Sequence, residues 1–393
     1  MKKIFLQRGK DKSLRRFHPW VFSGACAGKF SHLEEGEVVE VYDADKNYLA
    51  TGHFHNSSIC VRVFSFKQVV PDYDFWKKKI GKAVSYRKTL SLINNPNTTI
   101  FRMVNGEGDS LPGLIIDWFD GNVVLQFHSM GMFLLRDTFK NILLELFPGQ
   151  IKSIYDKSSA TLLPDSSVTN DELLFGQLDE VCVRENGVPF YIDIINGQKT
   201  GFFIDQRDNR QIVGEFAKGK RVLNLFCYTG GFSGYALQGG AEVVHSVDIS
   251  KKAIEWTDRN MAMLGDLATK HASYAENVFD FLNDMPDDYY NLIVLDPPAF
   301  AKHHRVKEQG IKGYRNINKK AMEKIRNGGF LFTFSCSQAI DKEDFQTIAF
   351  SAAAIAGKEV RIVKQLHQSM DHPINIFHPE GDYLKGLVLQ IQD

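Results

Sequence analysis

Apolar and polar residues alternate along the first seventy positions, as they do in short strands that are buried on one face. The alternating segments are Val38–Tyr42, Tyr48–Thr51 and Ile59–Phe64, and the first two are separated by the turn Asp43-Ala-Asp45. Strands of this kind with turn signals about every ten residues are typical of small all-β domains. We therefore predict a small β-barrel or sheet over residues 1–70.

A helical period replaces the alternation after Pro71. Apolar residues between Phe75 and Ile93 recur three or four positions apart, which predicts an amphipathic helix. The pattern then predicts strands at 99–104, 113–118, 122–127 and 151–155, with a helix over 131–146 before the last of these. Together these elements predict an α+β middle domain over residues 71–172.

The remainder of the chain, residues 173–393, has a different rhythm. Short, mainly apolar runs are separated by helical stretches, and they lie at 221–226, 242–247, 291–295 and 330–334. Strands without alternation are buried on both faces, as in a parallel sheet covered by helices. We predict an α/β fold for this part, a Rossmann-like domain with a doubly wound parallel sheet.

Composition places the chain among globular proteins, with 44% hydrophobic and 24% charged residues and a formal net charge of zero over 393 residues. With no overall field, any footprint for nucleic acid has to be local. Two basic segments stand out. Residues 1–29 carry eight Lys or Arg against Asp11, and residues 302–326 carry nine against Glu308 and Glu323.

The five cysteines are Cys26, Cys60, Cys182, Cys227 and Cys336, and none forms a C-x-x-C pair. A disulfide framework or a zinc site is therefore not expected, and no metal is predicted. No apolar region follows the N-terminal lysines, and no stretch is long enough to span a membrane. We expect a protein of the reducing cytoplasm with no membrane partner.

The first apolar run leads into Asn224-Leu-Phe-Cys-Tyr-Thr-Gly-Gly-Phe232. Glycines after the first strand of an open α/β sheet let the backbone approach a nucleotide closely. The phosphate-binding pattern G-x-G-x-x-G is absent, but Asp248 ends the next run and could accept hydrogen bonds from ribose hydroxyls. A carboxylate that can bind ribose, without a phosphate-binding loop, is typical of a site for S-adenosylmethionine, which has a ribose but no phosphate.

Two further motifs follow later strands. Asp296-Pro-Pro-Ala-Phe300 is a stiff turn whose carboxylate could hold the edge of a flipped base. Cys336 ends the last apolar run, and a thiolate can add to carbon 6 of a pyrimidine so that carbon 5 accepts a methyl group. Cys227 is the competing thiol, but it lies inside the segment 224–232 that is predicted to bind the cofactor, which favours a packing role.

The polar segment Asn196–Arg210 precedes the cofactor strand and reads as a strand, a loop and the start of a helix. Asp205 is the expected N-cap of that helix, and Arg207 and Arg210 lie one helical step apart. Its position before the cofactor strand predicts a wall of the cofactor pocket.

With these segments in view, the chain resembles the bacterial class I methyltransferases of the RlmI type, which make 5-methylcytosine in large-subunit (23S) ribosomal RNA. The resemblance covers essentially the whole chain. His18-Pro-Trp-Val-Phe-Ser-Gly24 is similar to the opening of that family, which belongs to a PUA domain, a small RNA-binding β-barrel. The other matching segments are Asn196–Arg210, Asn224–Phe232, Leu295–Lys302, Phe334–Ser337 and Glu380–Gly386.

The resemblance implies Cys336 as the nucleophile and Asp296 as the group that holds and activates the cytosine. The residues expected at S-adenosylmethionine are Phe203, Gln206, Asn224, Phe226, Tyr228, Thr229, Gly230, Asp248, Asn277 and Asp296. The residues expected at the RNA are Lys199, Arg207, Pro297, Pro298, Phe300 and Lys302. The family often has Asp where Asn277 stands, and an amide oxygen could still accept from the adenine amino group.

The implied partner is 23S ribosomal RNA, free or in an assembling large subunit, and the family's usual form is a homodimer. Two other functions remain open. One is methylation of a guanine or adenine nitrogen, although amino-group enzymes usually have an aromatic residue where Ala299 stands. The other is an inactive RNA-binding or ribosome-assembly factor that keeps the fold without the chemistry.

Overall fold

The computed structural model describes residues 1–28, 30–162, 168, 170–301 and 303–393. Two compact units are present. The first contains residues 1–183, 192–202 and 370–381, and the second contains residues 184–191, 203–369 and 382–393. Within the described residues, no helix has the length and apolar character needed to cross a membrane.

The first unit begins with a five-stranded sheet of order β1-β3-β4-β5-β2. Its strands are β1 (Lys2–Phe5), β2 (Trp20–Phe22), β3 (Val38–Tyr42), β4 (Tyr48–Phe54) and β5 (Ile59–Ser65), and the short helix α1 (Lys12–Arg15) lies between β1 and β2. All pairings are antiparallel except β1 with β3. Alternation along these strands buries one side chain set in a common core that includes Ile4, Val39 and Val61.

A second five-stranded sheet of order β10-β9-β8-β7-β6 completes this unit. Its elements are α2 (Tyr73–Thr89), β6 (Ile100–Asn105), β7 (Leu114–Phe119), β8 (Asn122–Phe127), α3 (Met130–Phe133), α4 (Arg136–Leu146), β9 (Ser153–Asp156) and β10 (Glu172–Gly176). Helix α2 begins where Asp72 accepts a hydrogen bond from the Phe75 N–H. It ends four residues before the predicted end, because Ser91 has a left-handed backbone (φ 55).

A two-stranded sheet follows, formed by β11 (Val181–Glu185) and β12 (Val188–Ile192). The second unit is then built on a seven-stranded sheet of order β15-β14-β13-β16-β17-β19-β18. Its strands are β13 (Arg221–Leu225), β14 (Val243–Asp248), β15 (His271–Ala275), β16 (Leu292–Leu295), β17 (Phe330–Ser335), β18 (Glu359–Leu366) and β19 (Lys385–Gln392). Its helices are α5 (Arg207–Ala217), α6 (Gly231–Gln238), α7 (Lys251–Ala262), α8 (Val278–Asp284), α9 (Lys307–Lys324) and α10 (Lys342–Ala356).

Strands β13 to β17 are parallel, as the apolar runs predict. The sheet is nevertheless mixed, because β19 pairs antiparallel with both β17 and β18. These last two strands are not predicted from the sequence. The chain order reverses at β13, whose neighbours are β14 and β16, and ligands of open α/β sheets bind at the carboxyl ends of strands at such a switch point.

Candidate active site

The loop after β13 is held in an unusual backbone conformation. Phe226, Tyr228 and Gly230 all have left-handed φ values, of 59°, 49° and 79° respectively. Two of these residues carry bulky side chains that disfavour this region, so the surrounding contacts have to maintain the shape. At Gly230 a Cβ atom would come within 2.9 Å of Thr257 Cγ2, which explains why glycine stands there.

Helix α7 supplies two of the contacts that maintain this loop. Thr257 Oγ1 donates to the Tyr228 carbonyl at 2.8 Å, and Asn260 Nδ2 donates to the Thr229 carbonyl at 2.9 Å. The loop also bonds to itself, where the Gly230 N–H donates to the Cys227 carbonyl. A strained backbone conformation persists only when several surrounding contacts hold it in place. The segment predicted to hold the cofactor is therefore a rigid turn.

Asp248 lies at the end of β14, beside this loop. Its Oδ2 accepts from the Tyr228 N–H at 3.0 Å, and its Oδ1 accepts from the Ser250 N–H at 2.9 Å. Each carboxylate oxygen can accept a second hydrogen bond, so the group keeps capacity for ribose hydroxyls. The structure thus joins two of the predicted cofactor residues directly.

Asn277 and Asn224 differ from the simple expectation. Asn277 is exposed and is the N-cap of α8, where its Oδ1 accepts from the Phe279 N–H at 2.8 Å. Asn224 is fully buried inside β13, and its amide donates to Ser233 Oγ at 2.8 Å. Asn224 therefore lies within the sheet, beneath the start of α6, rather than at the open edge.

The segment 203–210 forms a buried wall in the second unit. The Phe203 ring meets the Tyr228 ring edge-on, with 5.2 Å between the centroids. Arg210 donates to the Phe203 carbonyl and forms a fully buried ion pair with Glu185, with both nitrogen–oxygen distances at 2.7 Å. The buried pair anchors the backbone that carries Phe203.

The prediction that Asp205 caps this helix is wrong. A 3₁₀ turn over Ile204–Gln206 precedes α5, so Gln206 occupies the N-cap position and makes no side-chain cap. Asp205 Oδ2 instead accepts from the Tyr383 hydroxyl at 2.7 Å. The spacing of polar residues could not reveal this partner, which is far away in the chain.

Asp296 directly follows β16 and is held by a chain of amides. Gln206 Nε2 donates to Asp296 Oδ2 at 3.0 Å, and Asn209 Nδ2 donates to Gln206 Oε1 at 2.6 Å. Both amides are buried, whereas Asp296 is half-buried. Gln206, expected at the cofactor, thus contacts the carboxylate that is expected to hold the base.

The turn after Asp296 is tied to the loop that carries Cys336. The Ala301 N–H donates to Ser337 Oγ at 3.1 Å, and the Tyr314 hydroxyl lies 3.0 Å from the same atom. Phe300 packs on Tyr314 with 4.7 Å between ring centroids. Pro297 is buried and Pro298 is exposed. Lys302, expected at the RNA, lies outside the described residues.

The two candidate thiols differ in their surroundings. Cys336 is half-buried just beyond β17, whereas Cys227 is buried with 6% exposure. Burial raises the pKa of Cys227, so its thiolate is disfavoured. Lys385 is buried on the neighbouring strand β19 and donates to the Ser337 carbonyl at 2.8 Å. The sequence interpretation assigned no role to Lys385, although a lone lysine within the apolar run that begins at Leu384 is a usable signal.

The other two residues expected at the RNA lie in different units. Lys199 is exposed and belongs to the first unit, with a left-handed backbone. Arg207 belongs to the second unit and is buried, with its Nε 3.3 Å from Asp208 Oδ1. Arg207 is therefore part of the interior rather than an open phosphate-binding surface.

The basic segments are partly neutralised by acids from elsewhere in the fold. In the first, Arg8 pairs with Asp45 and Arg15 with Asp43, while Lys29 lies outside the described residues. In the second, Lys307 pairs with Asp344 at 2.6 Å and Lys324 with Asp287 at 2.7 Å, while Lys319 pairs with Glu323 of the same segment at 3.2 Å. Arg305 and Lys312 are exposed and have no carboxylate partner among the residues that the structure describes. The free charge is therefore smaller than the sequence run indicates.

Two family models and several known proteins match this chain. A family model described as S-adenosylmethionine-dependent methyltransferase matches residues 160–373, and one described as PUA-like domain matches residues 4–66. Two solved methyltransferases share the fold at 22% sequence identity. One, from Streptococcus mutans, has a TM-score of 0.85, and SMU.776, solved with SAH, has 0.86; each alignment covers 99% of this chain and all of the other.

The fold and the site together define an S-adenosylmethionine-dependent methyltransferase with a PUA-like domain at its N-terminus. Ribosomal RNA large subunit methyltransferase I of Tolumonas auensis is 39% identical over 395 residues, with 98% of both chains covered. The protein of that name from Shewanella amazonensis is 39% identical over 399 residues, with 99% of both covered. The chain belongs to this family, and S-adenosylmethionine is its methyl donor. The predicted fold class and cofactor are confirmed.

Proposed function

We propose that this protein forms 5-methylcytosine in 23S ribosomal RNA, free or within an assembling large subunit, with Cys336 as the nucleophile. The observation that carries the proposal is the link between two loops. Cys336 lies half-buried beyond β17, and Ser337 beside it accepts a hydrogen bond from Ala301 in the turn that follows Asp296. A thiol and a carboxylate fixed in neighbouring loops match the two groups that pyrimidine carbon 5 chemistry needs.

The strained loop at Tyr228 and Gly230 and the carboxylate of Asp248 would hold S-adenosylmethionine, which supplies a methyl group to the site when bound. Their fit rests on the observed geometry, since the left-handed loop lies directly beside Asp248 and the Asp248 carboxylate keeps acceptor capacity. Gln206 and Phe203 would form the adjoining wall.

In the proposed reaction Asp296 holds the cytosine, either accepting from its amino group as a carboxylate or donating to its ring nitrogen as the acid, and the Cys336 thiolate adds to carbon 6. The new carbon–sulfur bond places the electron pair of the former double bond on carbon 5, which then accepts the methyl group. A base removes the carbon 5 proton, the double bond re-forms and the thiolate leaves. The whole cycle starts and ends with Cys336 as a thiolate, so the enzyme is regenerated.

The test is a covalent trap. RNA with 5-fluorocytosine at the target position lacks the carbon 5 proton, so the adduct cannot break down and a protein–RNA complex should persist. We expect the complex with the wild type and with Cys227→Ala, and its loss with Cys336→Ala. Cys336→Ala should also lose methylation while it still binds S-adenosylmethionine in calorimetry. Full methylation by Cys336→Ala would overturn the mechanism and favour transfer to a ring or amino nitrogen.

The inactive-factor alternative is separated by the same measurements. A protein that only binds RNA should bind S-adenosylmethionine weakly and should never form the trapped complex. Ribosomal RNA from cells with and without this protein should then show no difference in methylated cytosines. Loss of a single methylated cytosine without the protein is the outcome that we expect.

A further inference from the structure

A lysine ammonium is buried at the first position of β19. Lys385 is 5% exposed and lies between Leu384 and the apolar residues of its own strand. A buried charge is costly unless hydrogen bonds or opposite charges compensate it. Among the described residues its only hydrogen-bond acceptors are the carbonyls of Ser337 and Tyr383, each at 2.8 Å from Nζ. No carboxylate of that part of the chain forms an ion pair with it.

The ammonium lies beside the candidate nucleophile. Strands β17 and β19 are paired so that Ser335 faces Lys385, and Nζ bonds to the carbonyl of Ser337. Cys336 is the residue between these two contacts. Burial lowers the pKa of Lys385, and the negative charge of Cys336 acts in the opposite direction.

Other charges near this pair partly cancel one another. Asp382 pairs with Lys342 at 2.6 Å, and Asp341 accepts from the Asp344 N–H as the N-cap of α10. On α9, burial raises the pKa of the Tyr314 phenol, which keeps it neutral. Among the residues that the structure describes, Lys385 is therefore a buried cation that can interact with a thiolate at Cys336.

We propose that Lys385 is a positioning residue that stabilises the Cys336 thiolate by its charge and holds the Cys336 loop through the Ser337 carbonyl. The inference rests on the proposed function, in which Cys336 is the nucleophile. A free thiol is mostly protonated at neutral pH, so a nucleophilic cysteine needs a cation or a base nearby. An opposite charge within about 6 Å shifts a pKa by about one unit or more.

The test measures the thiol itself and needs no RNA. The full-length protein is alkylated with iodoacetamide from about pH 6 to pH 9.5, and the modified Cys336 peptide is quantified by mass spectrometry. A free thiol has its midpoint near pH ~8.5. We expect the midpoint of Cys336 to lie about one pH unit or more below that value. A wild-type midpoint at or above that of a free thiol would overturn the proposal.

Variants separate charge from structure. Lys385→Gln keeps a donor for the carbonyls but loses the charge, and we expect its alkylation midpoint to rise by about one unit, which is about tenfold less thiolate near neutral pH. Lys385→Arg keeps the charge and should stay close to the wild type. Lys342→Met removes a more exposed ammonium near the same loop and should change the midpoint little. A folded Lys385→Gln protein with the wild-type midpoint would reduce Lys385 to a loop clamp.

The result can be distinguished from failure of the proposed function. If Cys336→Ala retains methylation, the carbon 5 mechanism fails, whatever the alkylation midpoints are. If Cys336→Ala abolishes methylation but the midpoint is independent of Lys385, only the present inference fails. Under the inference, kcat of Lys385→Gln should recover as the pH is raised, whereas KM for S-adenosylmethionine should stay the same.

Discussion

Gln206 Nε2 donates a hydrogen bond to Asp296 Oδ2 at 3.0 Å, and Asn209 Nδ2 donates to Gln206 Oε1 at 2.6 Å, which fixes the Gln206 side chain. One oxygen of the carboxylate is therefore oriented by a buried amide. Gln206 consequently links the polar segment 196–210 to the Asp-Pro-Pro turn.

Replacement of Gln206 by Leu should lower kcat by about 10- to 100-fold, because Asp296 loses a donor that orients it. KM for S-adenosylmethionine should change much less if the main contact of Gln206 is with Asp296. Steady-state methylation kinetics provide the measurement. Gln211→Leu, an exposed position on the same helix α5, is the matched control. A large loss of cofactor affinity with unchanged kcat would instead assign Gln206 to the cofactor.

Replacement of Asp248 by Asn should weaken S-adenosylmethionine binding by about tenfold or more. The amide has one acceptor oxygen in place of two, and its NH₂ group would face the backbone N–H of Tyr228 or of Ser250. Calorimetry with S-adenosylmethionine gives the affinity directly. Asp266→Asn, an exposed acid in the same unit, should bind normally. Equal affinities for the two variants would remove Asp248 from the cofactor site.

The sequence predicts the strand-end motifs well, because each follows an apolar run that can only be a buried strand. Asp248 and Asp296 lie at or just beyond the ends of β14 and β16, the two parallel neighbours of β13, as that pattern implies. The contacts of Gln206 and Lys385 could not be predicted in this way. Both depend on residues about 50 to 90 positions apart, and no local spacing encodes such a pairing.

The edge of the large sheet also escapes prediction, for a related reason. Most residues of β18 are exposed, so this strand lacks the apolar run that reveals a buried strand. The sheet is mixed instead of fully parallel because β19 pairs antiparallel with both β17 and β18. Similarly, the basic segment 302–326 is more neutral than it looks, because Asp287 comes from outside the run.

The salt dependence of RNA binding should arise mainly from Arg305, just before α9, and from Lys312 on α9. Arg305→Gln and Lys312→Gln should each reduce the slope of log K against log salt by about 0.7 to 0.9, as expected for one lost phosphate contact. Lys319→Gln should change the slope less, because Glu323 already neutralises that charge. Filter binding at several salt concentrations measures these slopes. If all three variants had the slope of the wild type, this face would be excluded from RNA binding.

Acid should destabilise the first unit through His53. This side chain is fully buried on β4, stacks on Trp76 with 5.8 Å between ring centroids, and has a pKa lowered by burial to about 3. The unfolded chain binds a proton near pH 6.5, so between about pH 6.5 and pH 3 the unfolded state holds more protons than the folded state. The free energy of unfolding therefore falls as the pH falls through this window.

At pH 5 the contribution of His53 amounts to about 2 kcal/mol of lost stability, taken from about 1.4 kcal/mol per pH unit below the unfolded pKa. His53→Phe should fill the same space without a titrating group. No hydrogen bond of Nδ1 is lost, because the His53 Nδ1 atom has no partner among the described residues. Urea unfolding at pH 7.5 and pH 5, followed by tryptophan fluorescence, should show a smaller pH effect in His53→Phe than in the wild type. An equal loss of stability in both proteins would mean that His53 stays neutral in the unfolded chain or is not buried, and either result contradicts the prediction.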